Sequence, residues 1–409
     1  RAIACLPAWS PCRATRRLLG SGASYETQGS STVRVLAVHS RYRSAGGEDV
    51  SFDTDVAYLR DRGHEVRVLT VDSRLYAERG VRAQALGLIG RDTDLKSRIR
   101  AAIRGHQSDV AYLNNWFPWL APYLEALGDL PVLATVPNYR LWCLNGLFFR
   151  SGHVCRSCFS GTRLNGVRHS CYRGFTSSVV ALGLVSKASK TLLAKPSVHF
   201  APVSSFLADI LIEAGVPSSR IHIKPNMVFP VPAVGGGGRS VLFAGRLEPE
   251  KGFDSFITAC GFAGVTPVVA GTGSLVDLAR ERSDYRGTLR PAEVEGLMGQ
   301  SLVTVTPSIW DEPFGRVAAE SLGSGTPVIT SARGGLQSVG AADCAIVTEP
   351  GDATSLASAI RRVRSDAYWS GVGRVAARAR FMANFAPEVV GGLLEGALTA
   401  TAADGPTAH

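Results

Sequence analysis

Short apolar runs rich in valine, isoleucine and leucine recur along the chain, each closed by a glycine, asparagine or proline turn and followed by a stretch with helical spacing. Residues 33–38 (Val-Arg-Val-Leu-Ala-Val) read as a buried strand. A loop with Gly46, Gly47, Glu48 and Asp49 follows, then a helix over about 50–62, a turn at Gly63-His64-Glu65 and a second strand over 66–71. Strand, glycine loop, helix, strand is the opening of a parallel α/β sheet. Residues 110–113, 132–136, 199–202 and 221–224 are further strands, and Ser204-Ser205 caps a helix over about 206–214.

Pro230, Pro232 and Gly235 to Gly238 interrupt this pattern as a linker over 229–239. After it the alternation restarts, with strands at 240–244, 267–270, 302–306 and 327–330 and helices at 253–260 and 315–323. The expectation is two α/β units: 33–228, with an insert at 138–174, and 240–378. A C-terminal helix at 379–398 crosses back to the first unit, and a frayed tail occupies 399–409. Residues 1–32 lack an apolar core and a clear period, and read as a disordered extension or a mis-assigned start.

Charge divides the chain unevenly. Among 409 residues there are 44 Lys and Arg against 34 Asp and Glu, but residues 33–228 have net +10 and residues 229–409 net −3. Residues 130–208 hold nine basic side chains and no acidic one. An anionic partner is expected there: nucleic acid, a lipid surface or a phosphorylated substrate. No apolar run approaches the roughly 18 residues needed to span a bilayer as a helix.

In the second unit, Arg246 and Lys251 follow a strand and are placed to hold a polyanion outside its carboxyl end. Glu312 precedes a helix, Glu320 lies two turns along it, and Gly315 between them allows close approach of backbone to ligand. Carboxylates facing a phosphate-binding pair suit hydroxyls, as on a sugar and a ribose flanking a diphosphate.

The segment from Phe243 to Ile329 resembles the donor half of family 4 glycosyltransferases. So do Val35-Leu-Ala-Val-His39 with Gly46-Gly47-Glu48, and Ile221-His-Ile-Lys-Pro-Asn226. The resemblance implies the GT-B architecture, two Rossmann-like parallel-sheet domains facing a cleft, and retaining transfer of a hexose from a nucleotide-diphosphate sugar to a glycan or lipid-linked acceptor. It gives Arg246 and Lys251 to the donor diphosphate and Glu312 to the sugar hydroxyls. Gly46, Gly47, Asn226, Gly245, Gly271, Phe314, Gly315 and Glu320 complete the donor site, Glu320 at the ribose. No metal is needed for chemistry. Pro137 stands where such enzymes often carry a histidine, so Asn138 or His39 is expected on the acceptor side.

Cys143, Cys155, Cys158 and Cys171 have the spacing C-x11-C-x2-C-x12-C, which predicts a structural zinc site. The rival reading, a zinc-knuckle nucleic-acid binder, leaves the Glu312–Glu320 segment without a role; phosphorylases and epimerases of related fold are a weaker alternative. The expectation is a cytoplasmic enzyme, peripheral on the inner face of an anionic membrane, with no nucleic-acid partner.

Overall fold

The computed structural model describes residues 32–42, 46–229 and 238–404. Most of the expected linker and nearly all of the expected N-terminal extension lie outside the described residues.

The first sheet contains β1 (Arg34–Arg41), β2 (Glu65–Asp72), β3 (Val110–Leu113) and β4 (Val132–Val136). A small antiparallel hairpin, β5 (Phe149–Arg150) and β6 (His153–Val154), interrupts the chain before the fifth strand, β7 (Val198–Pro202). The five strands are parallel in the order β2-β1-β3-β4-β7. β3, β4 and β7 are buried along their whole length, as strands covered on both faces must be. Side-chain alternation divides the two faces. Val35 and Ala37 pack with Phe52, Val56 and Leu59 of the helix Gly47–Asp61. Leu36 and Val38 face the helices Thr93–His106 and Phe175–Ala194 through Leu95, Ile99 and Val185.

The second sheet contains β8 (Val241–Ala244), β9 (Val268–Ala270), β10 (Asp284–Tyr285), β11 (Val303–Thr306), β12 (Val328–Ser331) and β13 (Ala345–Thr348). They run parallel in the order β10-β9-β8-β11-β12-β13. Phe243, Phe253 and Phe256 pack ring to ring beneath it. In both sheets the chain winds outward first one way and then the other. The reversal falls between β1 and β3 in the first sheet and between β8 and β11 in the second. The loops after those strands therefore diverge and leave a crevice, the usual ligand position in an open parallel sheet. Both halves are Rossmann-like, and their crevices face one cleft.

Three expectations are corrected. Residues 221–224 form no full strand: Ile221 bridges to Phe200, and the His222 and Lys224 amides donate to the Phe200 and Pro202 carbonyls, but Pro202 has no N–H to return a bond and complete the pairing. The border at 378–379 falls inside the helix Val372–Asn384, and the segment that crosses back is the helix Pro387–Ala403. Fraying does not begin at 399, because Thr401 is fully buried; residues 405–409 lie outside the described residues. This last helix sets Leu394, Ala397 and Leu398 against Val35, Phe52 and Tyr112 of the first unit. Glu395 accepts from Arg62 at 3.2 Å, and Asp404, just past its end, meets His199 at 2.8 Å.

Candidate active site

Because β8 and β11 are neighbours at the reversal, the loops that follow them lie side by side. That brings Lys251 to Glu312 across 61 residues, Nζ to Oε1 at 2.6 Å. Glu312 Oε2 accepts from Ser308 Oγ at 2.7 Å and from Trp310 Nε1 at 3.2 Å, and the Lys251 ammonium lies 5.2 Å from the Trp310 ring centre. Burial pushes the Glu312 carboxyl up, but Lys251, Ser308 and Trp310 outweigh it and hold the group below its ordinary value. An ammonium has three protons, so Lys251 keeps donors for a ligand while it orients Glu312. Arg246 pairs with Glu250 at 2.8 Å and is half exposed to the cleft.

Phe314 lines the cleft, and Gly315 opens the helix Arg316–Gly323 with φ 96°. A side chain at 315 would suffer both that left-handed backbone and a Cβ only 2.4 Å from Leu336. Gly245 and Gly271 shape the strand ends without lining the cleft. A Cβ on Gly271 would sit 1.8 Å from the Gly245 carbonyl oxygen.

The cleft encloses about 320 Å³ between the halves, a volume in the range of small-molecule sites. From the second half, Arg246, Lys251, Glu312, Phe314, Gly315 and Arg316 reach it. From the first come Gly47, Glu48, Asn114, Thr135, Asn138, Lys224 and Asn226. Asn138 Nδ2 donates to Glu48 Oε1 at 2.6 Å, and Tyr42 OH to Oε2 at 3.0 Å. Burial raises the Glu48 carboxyl, opposed by Asn138, Arg140 and Tyr42.

Residues 229–380 match the family model for glycosyl transferases group 1. The chain carries a group 1 glycosyl transferase domain. A 164-residue stretch is 35% identical to glycogen synthase of Mycobacterium tuberculosis, covering 36% of this chain and 39% of that protein. Another of 160 residues is 29% identical to an uncharacterized 42.6 kDa protein in the cps region of Klebsiella pneumoniae, covering 36% of this chain and 42% of that one. The chain therefore aligns with only about two fifths of the length of these relatives. Among solved structures, Anabaena HepE in complex with UDP matches with TM-score 0.62 at 18% identity, over 90% of this chain and 100% of that one. Sucrose-phosphate synthase from Thermosynechococcus elongatus matches with TM-score 0.64 at 19% identity, over 90% and 99%. These likenesses show the fold, that of GT-B glycosyltransferases.

Three further expected residues, Gly46, His39 and Glu320, do not line the cleft. His39 is fully buried beneath the glycine loop. Its Nδ1 accepts from the Asn115 amide at 3.3 Å, which leaves Nε2–H to donate to Asp49 Oδ1 at 2.8 Å. Burial lowers its pKa, so the ring is neutral, and its product is an oriented Asp49, whose other oxygen accepts from the Gly46 amide at 3.0 Å. Glu320 does not line the cleft either. It accepts from Arg316 Nε at 2.7 Å, and burial raises its carboxyl.

Arg316 itself escaped the sequence reading. Its guanidinium joins Glu320 to Ser51 Oγ at 3.1 Å, and Ser51 donates to Asn226 Oδ1 at 3.1 Å, a chain of polar contacts across the cleft. The usable signal was its place in a helix's first turn, where a cation opposes the macrodipole and needs an anionic partner.

The insert forms one lip of the cleft through Asn145, Gly146 and Leu147. Tyr139 stacks on Phe148 and donates to the Asp311 carbonyl at 2.6 Å, one residue from Glu312. The four cysteines are free thiols gathered near one another: burial, with Cys143, Cys171 and Cys155 nearby, pushes the Cys158 thiol up to about 11. Four thiolates are a donor set that suits zinc. Among the described residues, however, no group of three or more His, Cys, Asp or Glu side chains is disposed as a ligand set.

Proposed function

We propose that this chain is a family 4 glycosyltransferase that moves a hexose, with retention, from a nucleotide-diphosphate sugar to a hydroxyl of a glycan or lipid-linked acceptor. The observation that carries the reading is the Lys251–Glu312 pair at the sheet's reversal point, with Arg246 and Arg316 on the same wall. Cations for a leaving diphosphate stand next to a carboxylate kept ionised for sugar hydroxyls. The transferase domain supports it, as do neighbours described as HepE with UDP and glucose and as WaaG, a glycosyltransferase in lipopolysaccharide biosynthesis.

In this mechanism the bond from the anomeric carbon to the diphosphate oxygen breaks, and negative charge grows on the diphosphate. Arg246 and Lys251 stabilise that charge more in the transition state than in the ground state. The acceptor oxygen bonds to the anomeric carbon on the face just vacated, and its proton passes to the leaving phosphate. Glu312 holds donor-sugar hydroxyls and is not the nucleophile; a trapped glycosyl adduct on Glu312 would overturn that. Gly46 and Gly47 close over the diphosphate, Gly315 and Phe314 border the sugar, and Glu320, once turned from Arg316 toward the cleft, takes the ribose hydroxyls. A panel of nucleotide-sugars screened by thermal shift, then by turnover, tests the reading. Stabilisation by at least one donor and its turnover are expected, and no response to any would sink it.

Two further parts belong to this reading. A zinc ion on Cys143, Cys155, Cys158 and Cys171, with the thiols turned inward, would hold the insert together and take no part in catalysis. The positive first half would dock on an anionic membrane from the cytoplasmic side. Flotation with anionic but not neutral liposomes is expected; equal behaviour removes the membrane element.

A further inference from the structure

The wall opposite Lys251 carries buried polar atoms that the chain leaves unsatisfied. The register that pairs Leu113 with Ala134 sets Asn114 beside Thr135 at the carboxyl ends of β3 and β4. They are 4% and 6% exposed and both line the cleft, yet Asn114 Oδ1 and Thr135 Oγ1 have no hydrogen-bond partner. Buried polar atoms are almost always paired in folded proteins, so two orphans side by side mark a place for something that binds.

Their surroundings define its chemistry. Glu48 enters the same cleft, its carboxylate steadied by Asn138 and Tyr42. The cations nearby are engaged except for one N–H of Arg140. Lys224 is paired with buried Asp55, and Arg140 donates to the carbonyls of Leu144 and Asn145 while lying 4.2 Å from the Phe117 ring centre. The capacity left on this wall is an amide oxygen, a hydroxyl, a carboxylate and the Arg140 Nε–H, which also lacks a partner. Such a mixture of donors and acceptors fits the hydroxyls of a sugar or polyol. Pro137, beside it, adds neither donor nor acceptor.

We propose that Asn114, Thr135 and Glu48 form the subsite for the polyhydroxylated acceptor. A hydroxyl next to the reacting one donates to Glu48 and another bonds to Asn114 and Thr135, which leaves the proton of the reacting hydroxyl for the phosphate. Glu48 is a binding and positioning residue: it aims the oxygen lone pair at the donor, while the proton leaves with the phosphate. This assignment rests on the transferase reading for the identity of the occupant. A donor-sugar hydroxyl has the same chemistry, and a single trapped water is the bland alternative.

Saturation-transfer NMR of methyl α-D-glucopyranoside on the full chain separates these. Transfer to the sugar is expected, persisting with UDP or UDP-glucose bound. Glu48→Gln should weaken it by about tenfold and the near-isosteric Thr135→Val by about threefold, the losses of a charged and a neutral hydrogen bond, while calorimetric UDP affinity holds. No transfer to the wild-type chain, or transfer that both substitutions leave unchanged, overturns the proposal. Loss of signal on adding UDP-glucose but not UDP assigns the hydroxyls to the donor and also overturns it. If UDP fails to bind the wild-type chain, the transferase reading falls, and the sugar signal still decides whether this wall binds hydroxyls.

Discussion

The two walls of the cleft do not share out charge as the halves that supply them do. Residues 33–228, net +10, contribute Glu48 with Arg140 and Lys224, while residues 229–409, net −3, contribute Arg246, Lys251 and Arg316 with Glu312. The excess cations of the first half are engaged or face outward, as in the exposed pairs of Arg34 with Asp109 and Arg74 with Asp72. A site's potential is set by the few side chains that a strand reversal brings together. The average charge of a domain governs docking and solubility instead.

The comparison breaks most sharply at Lys251. Lys251→Ala should lower kcat by about 10²- to 10³-fold, because stabilisation of the leaving diphosphate is a transition-state interaction; a kcat within a few-fold of wild type would move the cationic wall elsewhere. Arg316→Ala, which cuts the polar chain from Glu320 to Asn226, should cost about tenfold, mostly in donor KM. Steady-state kinetics with the donor varied would detect it. Cys158→Ser should abolish bound zinc in metal analysis and lower Tm by about 5 °C or more, if the insert is held as proposed; metal-free, fully folded wild-type protein would remove the zinc.

The smallest expected effect contrasts the two glutamates of the second half. Glu312 is held below its ordinary 4.5, so its contribution to stability is present above pH 4.5 and is lost as pH falls below that value. The gap in unfolding free energy between wild type and Glu312→Gln should therefore narrow in acid. Glu320 is raised, so the sign reverses: its ionised form is disfavoured in the fold, and stability relative to Glu320→Gln falls as pH rises above 4.5. Denaturant titrations at pH 4 and 7 would show both trends.

Much of this was legible in the chain, for identifiable reasons. β3 is an uninterrupted apolar run bounded by Asp109 and Asn114, and Lys251 follows another, Val241–Ala244. What remained hidden depends on adjacency in space. Thr135 is an ordinary residue in an apolar strand until the register sets it beside Asn114. Ser51 has no meaning along the chain until Arg316 crosses to it, 265 residues away. His39 was drawn toward the site because histidines often act there; burial and two filled ring nitrogens give it the task of holding Asp49.

The returning C-terminal helix ties the order of synthesis to the order of assembly. Residues 33–228 leave the ribosome long before Leu394, Ala397 and Leu398, yet those three complete the apolar layer over Val35, Phe52 and Tyr112. Until then, the part of that face not covered by the helix Gly47–Asp61 stays bare, the kind of exposed surface that makes large proteins prone to aggregation during folding. A truncation before Pro387 would prolong that exposure indefinitely, so a shortened chain should fail in its first half, far in sequence from the cut.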